Sequence, residues 1–465
     1  MFIQSHLSLF SADIYTPVEL YLSLRHHFRK ACLLENNDYH SRQNSKSFIG
    51  CEPIVEITLE RNILTIKQQE GVEEIQLEPQ PSIAKQVQTV LDRFQFEQQQ
   101  FNGFFGRMNF EFNLQDETHI QKTAHEGDLP DLHLFIFRYL IVIDHFTSDG
   151  YLLENSFSPI EEPTEIYHLF QKSSVIQLPF ETVGKEVAHF SDSEFSELVK
   201  KGKAHCERGD VFQLVLSNEF RQGFFGDDFQ VYRELRRLNP SPYLFYFDFE
   251  SYRLFGSSPE AQLLVNDGKA EIHPIAGTVP LTGDETTDGK ALEFLLHDEK
   301  ENAEHTMLVD LARNDLSRDC AQVTVEKYKE VQHFSHVTHL VSKVTGQLKE
   351  KNAFEALCHS FPAGTLSGTP KPKALELIQR YEGDNRNFYG GAIGILGASG
   401  NLNTAIVIRS ILSQNNELQY RAGAGIVLDS DPDRETQEVH HKLRALRSAI
   451  ARAEKVGLPT QNIER

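Results

Sequence analysis

The chain has 465 residues, and its 46 Lys and Arg against 67 Asp and Glu give a formal net charge of −21. That balance repels nucleic-acid phosphates and anionic membrane surfaces, and argues against either as a partner. With 40% apolar residues, 28 Gly and 18 Pro, wholesale disorder is excluded and there is chain enough for two domains or one large interlocked sandwich.

The opening MFIQSHLSLFSADIY lacks the basic start and long apolar run of a secretory signal, and Arg138 and Asp144 interrupt the hydrophobic stretch 133–146, so a cytoplasmic protein is expected. PVELYLSLRHHFRKA places apolar residues at helical spacing behind Thr16 and Pro17, which predicts a helix. IVEITL and ILTIKQ alternate as half-buried strands do. The polar stretch 115–131 reads as a loop, and LHLFIFRYLIVIDHF as one or two buried strands. The pattern weakens between 165 and 190, so the main boundary is expected there, with an N-terminal region over 1–185 and a second unit over 190–465. Ser191 or Asp192 caps a helix ending near Gly209, and VFQLVLSNEF, YLFYFDF, YRLFGSS and AQLLVND follow as strands in hairpin-like groups. This order predicts an α+β fold with mostly antiparallel sheets. The five cysteines, Cys32, Cys51, Cys206, Cys320 and Cys358, show no metal-ligand spacing and suit a reducing compartment.

Within residues 298–319, Met307, Leu308 and Leu311 make an apolar stripe at helical spacing, and Glu304 falls on it. A carboxylate there is protonated, paired or metal-bound, unless it reaches water at the stripe's edge. In the last helix, expected over 433–455, Val439, Leu443, Leu446 and Ile450 form the core face, with Glu438 and Lys442 beside it. That pair is either a surface i,i+4 contact, or Glu438 joins Glu304 in holding a hard cation such as Mg²⁺. The glycines of FPAGTLSGTPKPKA, YGGAIG and RAGAGIV either bare the backbone for an anion or allow tight sheet packing, and none makes a nucleotide-binding loop. Arg409 in AIVIRSIL reads as a cation inside an apolar strand, paired with a substrate carboxylate or a structural one. His336 and His339 lack further zinc ligands at suitable spacing.

The strings DVFQLVLS, NPSPYLFYF, FGSSPE, PIAGT, AEHTMLVDLARNDLSR, HVTHLVSKVTG, FPAGTLSGTPK, YGGAIG and RAGAGIVLDSDPDRE closely resemble, in order, the motifs of the component I family of anthranilate synthases, within the wider chorismate-utilising enzymes. The match runs from Ser191 to Ala453, with a weaker echo at SFIGCEPI. The resemblance implies a two-sheet α/β sandwich, with an N-terminal regulatory region over 1–185 interleaved with it and a chorismate-binding catalytic domain over 190–465. It also implies an Mg²⁺-dependent lyase of tryptophan biosynthesis that joins chorismate and ammonia to give anthranilate and pyruvate. By the same resemblance Glu304 and Glu438 carry the Mg²⁺, Glu260 protonates the departing ring hydroxyl, and His339 serves pyruvate loss and aromatisation. Tyr389 and Arg409 meet the enolpyruvyl carboxylate. Gly277, Thr278, Lys442 and the backbone of Gly423, Ala424 and Gly425 supply the remaining contacts.

Gln213 stands where isochorismate and salicylate synthases carry a lysine base, and Ala276 where aminodeoxychorismate synthases carry a nucleophilic lysine, which favours ammonia as attacking group and anthranilate as product. An aminodeoxychorismate synthase, or a silent chorismate-binding regulatory subunit, are the alternatives. None of the cysteines lies in GxCxG, so glutamine hydrolysis is expected of a separate amidotransferase subunit. Family tryptophan sites use LLES and NPSPY motifs. Here Leu33, Leu34, Glu35 and Asn36 put an asparagine in place of the serine, while Pro242, Tyr243 and Leu244 keep the other half. Asn36 can hold the effector's amino group or fill its space.

Overall fold

The computed structural model describes residues 1–36, 45–112, 114, 125, 127–164, 166–171, 177–280, 284–333, 337–350 and 352–455. His336 and most of the expected loop at 115–131 lie outside them.

Two long strands organise the molecule. Lys46–Glu60 carries a bulge between Pro53 and Val55; before it the strand pairs with Ala31–Asn36, after it with Ile63–Gln68. Its neighbour Leu132–Asp144 is a single buried strand whose first residues pair with Gly103–Met108 and last with Asp149–Ser156. Each long strand thus belongs to two sheets. The first sheet continues from Ala31–Asn36 through Tyr243–Asp248, Arg253–Ser258, Ser410–Gln414, Glu417–Ile426 and Gln213–Gly226 to Phe180–Ala188. The second runs from Gly103–Met108 through Ala392–Gly397, Leu402–Ile406, Ala261–Asn266 and Lys269–Ile272 to Val337–Leu348, which is flanked by Ile275–Pro280 and Cys320–His333. These pairings are antiparallel, and they join residues before 185 to residues after 190 at three places, so the two halves of the chain interleave.

The sheets face each other across a core of Phe105, Phe135, Phe137, Phe245, Phe247, Leu254 and Ile406. Helices Pro17–Leu24, Asp192–Glu207, Phe229–Leu238, Lys371–Glu382 and Pro432–Ala453 pack on the first sheet; Ile83–Leu91, Glu299–Asp319 and Ala353–Ser360 on the second. The architecture is the expected two-sheet α+β sandwich. Local signals hold as well: Thr16 caps the first helix, and Ser191 forms a reciprocal capping box with Glu194. In the C-terminal helix Val439, Leu443, Leu446 and Ile450 are buried as expected, each contributing about 1.5–3 kcal/mol. Among the described residues no helix is long and apolar enough to cross a membrane.

Strand alternation decides which residues meet the gap between the sheets. Leu214, Leu216, Phe220, Ala422, Ala424 and Ile426 join the helix-covered core, so Gln213, Val215, Ser217, Arg421, Gly423 and Gly425 face the opposite way.

Candidate active site

At one edge of the sandwich the chain crosses between the sheets twice. Ser258–Pro259–Glu260 leads from Arg253–Ser258 to Ala261–Asn266, and Val407–Ile408–Arg409 leads back from Leu402–Ile406 to Ser410–Gln414. The crossings are tied together, Ile406 N donating to Glu260 O at 3.0 Å and Ser257 N to Arg409 O at 3.1 Å. Arg409 therefore does not lie within a strand, as expected from AIVIRSIL. It has a left-handed φ of +51°, which ends one strand and starts the next.

Glu260 is half-buried and accepts a hydrogen bond from Thr365 Oγ1 at 3.2 Å. Burial pushes its carboxyl up to about 7, although the Thr365 bond, Arg409 and Lys442 pull the other way. The Arg409 guanidinium is held below its ordinary value by burial, against the pull of Glu260 and Glu438. Among the described residues it forms no ion pair within 4.0 Å. Lys442 Nζ donates to Gly423 O at 2.8 Å, and its ammonium is also pushed down by desolvation. Lys442 and Glu438 remain 45% and 47% exposed, so that desolvation comes from the crowded walls of an open cleft and not from exclusion of all water. The Glu438 carboxylate stands 3.8 Å from both Lys442 and His441, a loose pairing that leaves its oxygens available.

The helix Glu299–Asp319 departs from the expected stripe. Its buried face is His305, Val309, Ala312 and Leu316, with His305 Nε2 on Ser342 Oγ at 2.6 Å. Leu308 and Leu311 lie at the edge of that face, where they line a cavity of about 40 Å³ with Glu260, Gly364 and Thr365. A Cβ on Gly364 would collide with Leu311, so this glycine admits the helix. Half-buried Glu304, one turn before Leu308, is on the side of the helix that leads to Glu260.

On the first sheet, a Cβ on Gly425 would stand 2.8 Å from Gln213 Nε2, and one on Gly423 would stand 2.8 Å from Leu216 O and 3.2 Å from Tyr389 Oη. Ala424 points into the helix-covered core and offers only its backbone here. Burial pushes the Tyr389 phenol up to about 12. On the second sheet, register sets Thr278 opposite His339 with Gly277 beside it. The glycines of YGGAIG serve packing: a Cβ would meet a backbone carbonyl 2.3 Å away at Gly391 and 2.1 Å away at Gly394.

Three groups at the site escaped the sequence. Thr365 holds Glu260. Beneath Gly423, buried Glu382 accepts from Ser217 N at 2.7 Å and pairs with buried Arg386 and with Arg421, which holds its carboxyl below the usual range. Glu382 and Arg386 stand four apart in the sequence, and only the fold buries them. Lys371 and Asp315, paired at 3.0 Å, pin the helix Glu299–Asp319 to the start of Lys371–Glu382.

The expected effector motifs are brought together. Register places Asn36 opposite Tyr243 and Glu35 opposite Leu244, while buried Glu35 is held by Arg236 at 2.7 Å and Tyr232 at 2.7 Å. A cleft of about 1220 Å³, lined in part by Lys46, Phe48, Phe101, Pro242 and Tyr243, opens beside them.

Among the described residues no three or more His, Cys, Asp and Glu side chains group to hold a metal by themselves. The hard carboxylate oxygens of Glu304 and of the loosely paired Glu438 nonetheless suit Mg²⁺, which takes few protein ligands and keeps positions for substrate and water.

Residues 31–448 match the family of chorismate binding enzymes. The chain is 34% identical to anthranilate synthase component 1 of Bacillus subtilis (strain 168), over 96% of this chain and 92% of that one. With component 1 of Aquifex aeolicus (strain VF5) it shares 44% identity, and there the match spans 57% of this chain and 55% of the relative. The crystal structure of anthranilate synthase component I from Streptococcus pneumoniae TIGR4 superposes with a TM-score of 0.73 at 30% identity, covering 94% of this chain and 98% of that one.

Proposed function

The chain belongs to the family of chorismate-binding enzymes, and from that premise we propose that it is the large component of an anthranilate synthase, an Mg²⁺-dependent lyase that converts chorismate and ammonia to anthranilate, pyruvate and water in tryptophan biosynthesis. The observation that carries this reading is a carboxyl poised near neutrality between two desolvated cations, one of them without an ion-pair partner. A dianionic ligand satisfies both Arg409 and Lys442, and its arrival raises the Glu260 pKa further.

Glu260, about half protonated at pH 7 and more so once the dianion is bound, donates its proton to the ring hydroxyl, which departs as water. Arg409 and Tyr389 hold the enolpyruvyl carboxylate, and the backbone of Gly277, Gly423, Ala424 and Gly425 with Thr278 fixes the ring. His339 takes up a proton as pyruvate leaves and the ring becomes aromatic. Glu304 and Glu438 would hold Mg²⁺, which when bound supplies positive charge at the ring carboxylate. Gln213 neither takes up nor releases a proton, so ammonia attacks without a general base, and Ala276 forms no covalent intermediate.

Ammonia comes from a separate glutamine amidotransferase. Its nucleophilic thiol has no counterpart here, since burial pushes up the thiols of Cys32, Cys51, Cys206 and Cys320, and Cys358 is buried too. Five free thiols suit a cytoplasmic protein. Tryptophan is the proposed effector at Asn36 and Tyr243, where two distant motifs pair as neighbouring strands of the first sheet.

The test is incubation of the purified chain with chorismate, Mg²⁺ and ammonium, the product being identified by mass and fluorescence. Anthranilate is expected with ammonium but not with glutamine, and not after chelation of the metal. A para-aminated product, or none, overturns the reading.

A further inference from the structure

The two-residue strand Gly368–Thr369 pairs antiparallel with the start of Gln213–Gly226, setting Thr369 opposite Gln213. Directly opposed residues project to the same face, with Cβ atoms about 4.5–5.5 Å apart. Gln213 Oε1 and Thr369 Oγ1 are both buried, and neither has a hydrogen-bond partner. The great majority of buried polar side-chain atoms are paired, so two such acceptors on facing residues point to one small shared donor.

Their surroundings place that donor. Gly425 shares the face, and a Cβ there would press on Gln213 Nε2 at 2.8 Å, so only glycine leaves the amide where it is. Thr365, four residues before Thr369, holds Glu260, and Gly423, two residues before Gly425, holds Lys442. The two acceptors thus belong to the same two segments that carry the contacts to Glu260 and to Lys442.

We propose that Gln213 Oε1 and Thr369 Oγ1 seat the attacking ammonia, an inference that rests on the anthranilate-forming reading above. Ammonia has three N–H bonds and one lone pair. Two N–H bonds directed at the two oxygens leave the lone pair free to form the C–N bond. As it forms, the ring C–O bond breaks and the hydroxyl leaves as water with the Glu260 proton. The ammonium so formed releases a proton to solvent, so one ammonia enters and one water departs. Neither Gln213 nor Thr369 changes its protonation, and neither can turn water into a stronger nucleophile; Thr369 extends the choice of nucleophile beyond the amide alone.

The test compares Thr369→Val, close in shape without the hydroxyl, with Thr369→Ser, which restores it. KM is measured separately for ammonia and chorismate with ammonium salts as nitrogen source, and folding is checked by thermal melting. Thr369→Val is expected to raise the ammonia KM about five- to tenfold, the loss of one hydrogen bond. The chorismate KM should stay within about twofold and Thr369→Ser should return to the wild-type ammonia KM. An unchanged ammonia KM means the acceptors hold only a resident water and overturns the proposal. So does a parallel rise of both constants, or failure of the serine to rescue. A wild-type chain that forms no anthranilate sinks the functional reading itself, whereas these outcomes arise in an active enzyme and sink only the ammonia seat.

Discussion

Replacing Glu260 with Gln separates the two things the site does to this carboxyl. Its pKa rises from an ordinary 4.5 to about 7 because the fold withholds water from the anion. Below pH 4.5 the folded and unfolded chains both keep the proton, and burial of the neutral acid carries no ionisation penalty. Between 4.5 and 7 the unfolded chain ionises while the folded one stays protonated, so folding takes up a proton and stability falls as pH rises. Above 7 both forms are ionised and the penalty is fully present. The span corresponds to on the order of 3 kcal/mol, reduced to about 2 kcal/mol once solvent in the cleft is allowed for. A neutral amide at this position would carry no such penalty. If the chain unfolds as one unit, at about 2 cal/mol/K per residue, Glu260→Gln should melt about 2 °C above wild type at pH 8 and with no such advantage at pH 4.5. The same substitution removes the proton donor, so kcat should fall about 10²- to 10⁴-fold with little change in chorismate KM. For wild type, kcat/KM for chorismate, corrected for free ammonia, should decline above about pH 7, and kcat only at higher pH because the bound dianion raises the carboxyl further. Paired melting curves from pH 4.5 to 9 and anthranilate fluorescence read both effects. A melting gap that does not change with pH, or a rate loss under tenfold, refutes the argument.

Arg409→Met should raise the chorismate KM about 10- to 100-fold, the loss of charge-assisted hydrogen bonds to a carboxylate, while melting no lower than wild type because no carboxylate within 4.0 Å is left behind; steady-state kinetics beside a melting curve checks both. Glu382→Gln should do the reverse, destabilising the fold by about 3–5 kcal/mol because Arg386 and Arg421 lose a buried counter-charge; urea unfolding reads it, and an unchanged midpoint would contradict the account of that cluster. Titration with tryptophan should inhibit wild type, more sharply in Asn36→Ser where the bulkier amide is gone; a flat response in both removes Asn36 from any effector site.

The sequence was most informative where one physical rule acts locally. Ser191 and Glu194 sit at capping-box spacing, and the C-terminal helix buries the four positions its period selects. It was least informative where distant segments meet. Apolar neighbours around Arg409 look like a strand because alternation is blind to a single left-handed φ, and that φ is what turns the guanidinium into the site. The stripe through Met307, Leu308 and Leu311 looked like the core because His305 is polar, yet Ser342 from a strand across the packing satisfies the histidine and lets it go under. Thr365 and Glu382 carried no signal, since a hydroxyl near a turn and an i,i+4 pair are ordinary on any surface. What distinguishes the site physically is therefore a contrast that only the assembled molecule displays. Buried cations nearby have carboxylates at hand, Arg386 and Arg421 at Glu382 and Lys371 at Asp315, whereas Arg409 has none and Lys442 only a loose one at 3.8 Å. A chain with a net charge of −21 does not lack carboxylates to offer. Leaving two cations underneutralised in one cleft is costly unless a ligand brings the missing charge, and a dicarboxylate is the ligand whose charge matches.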